Sequence, residues 1–102
     1  MTEAEFNELA DTTLARIETA IDSYGDNVEC NRSGNVLEIE FDDGGKIIVN
    51  RHDINQEIWV AAKSGGFHYA WQNGAWESRR DEGQLFLKLN ELLSAQGESI
   101  TF

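Results

Sequence analysis

Proline is missing from this chain altogether, cysteine occurs once, and basic residues are scarce; each shortage excludes something. With Cys30 alone, no intrachain disulfide and no thiolate metal cluster can form, which suits a reducing compartment and points to a bacterial cytoplasm. Average usage would place about five prolines in such a chain. Without them the loops give up more backbone freedom on folding, so modest stability and a cold-living source are expected. Eight Lys and Arg against 19 Asp and Glu leave a charge of −11. That charge repels phosphate backbones and anionic headgroups, so nucleic acid and membrane surfaces are poor partners. No apolar run reaches membrane-spanning length, and residues 1–6 lack the basic and apolar regions of a signal peptide. There is also no phosphate-binding glycine loop, no His-Glu-x-x-His and no Gly-x-Ser-x-Gly. Lys63-Ser64-Gly65-Gly66 resembles a phosphate loop in composition only and reads as a hairpin turn. No catalytic site is expected.

What is present is lopsided. Twelve of the 19 acids precede Gly44 against two basic residues there (Arg16, Arg32), so residues 1–43 carry −10 and the remainder −1. Solubility alone does not require such segregation, which marks a working surface for a cation or a basic partner. The apolar content of 40%, with three Trp, five Phe and two Tyr, is that of a folded chain. At 102 residues it is expected to form one domain.

Periodicity changes twice along the chain. Residues 3–24 read as a helix: Thr2 and Glu5 form a capping box, and Phe6, Leu9, Thr13, Ile17, Ala20, Ile21 and Tyr24 recur at helical spacing before Gly25. Residues 28–79 alternate in short runs between turn signals, of which Asn73-Gly74 is the strongest. Helical period returns over residues 83–96 through Leu85, Phe86, Leu89, Leu92 and Leu93. Helix, about six antiparallel strands, helix is the order of an α+β two-layer sandwich, with both helices on one sheet face.

Glu8, Asp11, Glu18 and Asp22 fall within an arc of roughly 80° on the first helix, well away from its apolar stripe. Asp26 and Glu29 continue the row toward the first strand. Carboxylates are hard oxygen ligands suited to Fe²⁺, Fe³⁺, Mn²⁺ or Ca²⁺; with no His or Cys among them, binding would be weak and multi-site. The same row could instead dock on a basic protein patch, or simply be a solvated face. On the strand Glu57-Ile58-Trp59-Val60, alternation sends Ile58 and Val60 to one face and Glu57 and Trp59 to the other. Trp59 is then expected on the open side of the sheet near Glu38, Glu40 and His68, as a binding anchor. His52 and His68 read as isolated surface or sheet residues, and Cys30 as a small apolar one.

The acidic first helix, Lys46-Ile47-Ile48-Val49-Asn50-Arg51, Glu57-Ile58-Trp59-Val60 and Gly65-Gly66-Phe67-His68-Tyr69 together resemble the frataxin family, especially its bacterial branch, nearly end to end. The resemblance implies the sandwich derived above and a role in iron–sulfur cluster assembly. It implies weak iron binding (Fe²⁺/Fe³⁺) on the ridge through Glu3, Asp11, Glu18, Asp22, Asp26 and Glu29. It also implies contact with the cysteine desulfurase and its scaffold protein through Asn50, Trp59 and His68, to which Glu57 is added here. A monomer is expected, with oligomers driven by iron as a further possibility. Against the family pattern, Glu57 replaces a usual Gln, His52 another Gln, and Ile54 a proline. Asn27, Asn31, Thr19 and Ser23 thin the acidic row, so a lower iron capacity than in relatives is expected. A pure interaction module and a weak ferroxidase are the rival readings.

Overall fold

The computed structural model describes residues 1–80 and 83–102. Helix α1 spans Glu3–Tyr24. It begins in a complete capping box: the Glu5 amide donates to Thr2 Oγ1 at 3.1 Å, and the Thr2 amide donates to Glu5 Oε1 at 2.9 Å. The Thr2 backbone amide first, then the Thr2 side chain, hold the Glu5 carboxyl below its ordinary value. Phe6, Ala10, Thr13, Leu14, Ile17 and Ile21 form the buried stripe, while Tyr24, placed on that stripe by spacing alone, is exposed. Gly25 ends the helix, though not by a left-handed turn, since its φ is −79°. Close approach requires glycine there: a Cβ would lie 2.3 Å from Val28 Cγ1 and 2.7 Å from the Ile21 carbonyl oxygen.

The strands β1 (Val28–Ser33), β2 (Val36–Phe41), β3 (Lys46–His52), β4 (Glu57–Ala62), β5 (Gly65–Gln72) and β6 (Ala75–Glu77) form one antiparallel meander in chain order. The expected six strands are all present. Asn73 and Gly74 both take positive φ, 54° and 78°, as a tight two-residue hairpin between β5 and β6 requires. Helix α2 (Leu85–Ala95) follows.

Period-two alternation divides the sheet cleanly. Leu37, Ile39, Phe41, Ile47, Val49, Ile58, Val60 and Tyr69 are buried and join the stripes of α1 and α2 in one core. Trp76 anchors the α1 side, edge-on to Phe6 and Trp71, and its indole N–H donates to Thr13 Oγ1 at 2.8 Å. The Thr13 hydroxyl in turn donates to the Leu9 carbonyl oxygen at 2.7 Å, which accounts for a threonine on an apolar stripe. The other sheet face is left uncovered by helices. Beyond α2, Ile100 is buried and Phe102 packs on Phe86, clipped by a bond from its own amide to Asn90 Oδ1 at 2.7 Å.

Candidate functional site: an acidic ridge and an aromatic strip

The two candidate surfaces lie on opposite sides of the sheet. On α1, Glu3, Glu8, Asp11 and Asp22 are exposed and Glu18 is half-buried; Asp26 is exposed just beyond the helix. Asp11 departs from its expected role as an open carboxylate. The Arg32 guanidinium, from β1, reaches its Oδ1 at 3.0 Å, and Arg51, from β3, bonds to the same oxygen. Arg51 also donates to Asn7 Oδ1 and to Asp53 Oδ1, the latter at 3.0 Å, and its guanidinium lies over the Phe6 ring. Its side chain is only 8% exposed, so this cation is a pin between α1 and the sheet. The sequence carried a sign of it, because alternation from Ile47 and Val49 sends Arg51 to the covered face.

Asp11, neutralised at mid-helix, divides the ridge into an upstream group (Glu3, Glu5, Glu8) and a downstream group (Glu18, Asp22, Asp26). Glu29 sits elsewhere than expected. On β1 it alternates with Cys30 and Arg32, which face α1, so it lies on the open face directly opposite Glu40. Cys30 sits instead beneath the downstream group. Burial first, then the charges of Asp22 and Glu18, push its thiol up to about 12. Among the described residues, no three His, Cys, Asp or Glu side chains converge tightly enough to cage an ion. The geometry is that of separate surface carboxylates rather than one centre.

The register builds the second surface row by row. Asn50, Trp59 and His68 stand abreast on β3, β4 and β5, and His52 opposes Glu57 one step along. The result is a stack. The Trp59 indole lies between His52 and His68, at centroid distances of 3.9 and 4.0 Å and interplanar angles of 7° and 3°. His52 is therefore not isolated, as its sequence position suggested; it is diagonal to Trp59 across the β3–β4 ladder. Glu57, expected on an open face, is 7% exposed. Its Oε1 accepts the Trp59 Nε1–H at 2.9 Å, which fixes the indole plane, and its Oε2 lies 3.7 Å from Arg79 Nη1. Glu38 and Glu40, expected beside Trp59, instead bracket Lys46 at 3.0 and 3.5 Å farther along the sheet. With both indole faces covered, Trp59 presents its edge to solvent within a strip of three ring edges.

A frataxin-like domain matches residues 1–99. The chain belongs to the frataxin family. The iron–sulfur cluster assembly protein CyaY of Neisseria meningitidis serogroup C is 50% identical over 101 residues, covering 98% of this chain and 94% of that protein. Frataxin from Psychromonas ingrahamii superposes with a TM-score of 0.89 at 29% identity, over 99% of this chain and 97% of that one. Trimeric frataxin from Saccharomyces cerevisiae, complexed with ferrous, aligns over 94% of this chain and 86% of its own, with a TM-score of 0.71 at 24% identity; that likeness shows the shared fold. The frataxin sandwich thus places ridge and strip on the two sides of one sheet.

Proposed function

We propose that this frataxin acts in iron–sulfur cluster assembly as a non-enzymatic protein. It holds Fe²⁺ or Fe³⁺ loosely on the α1 ridge and modulates the cysteine desulfurase–scaffold complex through the open sheet face. The observation that carries the iron half is the downstream group. Glu18, Asp22 and Asp26 lie along one side with no basic partner among the described residues, whereas Asp11 has two. Such carboxylates give hard oxygen donors without enclosing an ion, which suits a cation that must be released. The naming of close bacterial relatives as cluster assembly proteins supports the pathway. The partner half rests on the strip of Asn50, Trp59 and His68, preorganised by Glu57 and His52.

An anaerobic Fe²⁺ titration followed by backbone amide NMR tests the reading, with Ca²⁺ as hard-ion control. Broadening is expected first around residues 18–26, weaker around Glu3 and Glu8, and least at Asp11. A response that calcium abolishes equally well, or none at all, would overturn iron handling. A second reading is favoured by the open, uncaged arrangement: the ridge docks on a basic protein patch. Charge reversal at Glu18 and Asp22 that abolishes binding to the desulfurase complex in metal-free buffer would select it.

A further inference from the structure

Beside the aromatic strip lies a cavity of about 230 Å³ lined by Glu57, Gly66, His68, Ser78, Arg79 and Arg80. We propose that this cavity is a carboxylate-binding subsite, into which an acidic segment of a partner protein inserts an Asp or Glu side chain against Arg79 and Arg80.

In a chain of −11, two adjacent guanidiniums line one small cavity. Arg79 is 61% exposed and meets Glu57 only at 3.7 Å, beyond hydrogen-bond range, so among the described residues most of its five N–H donors are unspent. Arg80 is exposed and pairs with no carboxylate among the described residues. Its backbone amide donates to Ser78 Oγ at 3.1 Å, which shapes the turn carrying both arginines. Among the described residues lining the cavity the opposing charge is Glu57, whose Oε1 accepts the Trp59 indole N–H and whose Oε2 faces Arg79 at 3.7 Å, so two arginines stand against one carboxylate. An incoming carboxylate meets both arginines, with the His68 imidazole alongside. Aromatic edges carry the positive end of the ring quadrupole, so the strip also favours acceptor groups. Guanidinium forks pair with carboxylates through two parallel bonds, which gives direction as well as affinity.

This subsite rests on the reading of the open sheet face as the partner face, and it gives that face a chemistry complementary to the ridge. The ridge selects cations or basic surfaces; the pocket selects acidic ones.

The test is a titration of a short aspartate peptide, acetylated and amidated so that only side-chain carboxylates act, in metal-free buffer at low salt. Saturable amide shifts at Gly66, His68, Ser78, Arg79 and Arg80, with a shift of the Trp59 indole N–H, are expected. The Arg79→Gln/Arg80→Gln double variant should bind about tenfold or more weakly, and Arg80→Gln alone should weaken binding while amide dispersion elsewhere stays that of the parent. Peptide shifts scattered over the surface, or unchanged affinity in the double variant, would overturn the proposal. Inorganic phosphate producing the same shifts at equal concentration would make the cavity a small-anion site and overturn the docking role. Because the titration contains no metal, failure of the iron reading leaves its outcome untouched. Peptide binding by the parent, with the double variant still binding the desulfurase complex normally, would keep the carboxylate site and overturn its docking role on that complex.

Discussion

Two acids, Asp11 and Glu57, are engaged by neighbours: Asp11 by Arg32 and Arg51, Glu57 by the Trp59 indole N–H. Arg51 ties Asp11, Asn7 and Asp53 together from a buried position, whereas Arg32 reaches Asp11 from a more exposed one. Charged hydrogen bonds at a buried guanidinium are worth more than a screened surface pair. Arg51→Gln is therefore expected to cost about 1–3 kcal/mol in urea unfolding, and Arg32→Gln no more than about 1 kcal/mol. Glu57→Gln keeps an oxygen for the Trp59 indole N–H and should leave its NMR resonance near the parent position. Glu57→Ala removes that acceptor and should cost about 0.5–1.5 kcal/mol, with the indole signal displaced. Cys30, pushed up to about 12, is expected to resist thiol–disulfide exchange at pH 8, and Glu18→Gln/Asp22→Asn should speed the reaction, as followed with a chromogenic disulfide. The sign for stability follows from the same shift. The folded state keeps the thiol protonated, so its contribution is complete below the ordinary thiol value near 8.5 and is lost as pH rises toward 12. Cys30→Ala should lose less stability than the parent over that interval.

At the scale of elements, periodicity was a sufficient guide. The capping box started α1 where Thr2 and Glu5 place it, and Asn73-Gly74 made the β5–β6 turn. The helices and strands were legible because their apolar periods are short-range properties of the chain. The Arg51 pin and the His52–Trp59–His68 stack were not, because both join residues on different elements through register. Helix α2 also begins two residues later than its apolar period suggests, at Leu85. The segment after it closes the layer: Ile100 is 5% exposed and Glu98 Oε1 accepts the Asp26 amide at 3.2 Å. Ile100→Ala should therefore cost about 2–5 kcal/mol, measured as a lowered denaturant midpoint with unchanged slope.

For the molecule as a whole, charge is arranged against stability. Twelve acids in residues 1–43 repel one another, and no proline stiffens the loops. The melting midpoint is expected not to exceed the usual band of about 45–65 °C in dilute buffer. A cation bound by the folded ridge should raise it in proportion to the logarithm of its concentration above the dissociation constant, beyond the effect of monovalent salt at equal ionic strength. A calorimetric series with Fe²⁺, Ca²⁺ and NaCl separates binding from screening.

Architecture, family and the segregation of charge are all written in residue order, as period, motif and count. Which carboxylates stand free depends instead on how distant elements pack. Asp11 lost its independence to arginines 21 and 40 residues away, and Glu29 went to the opposite face through a single step of strand alternation. The same ladder set His52 and His68 on the two sides of Trp59 and brought Arg79 to the edge of Glu57. Register is fixed by the burial of the other face, so the site's geometry is a consequence of the core beneath it.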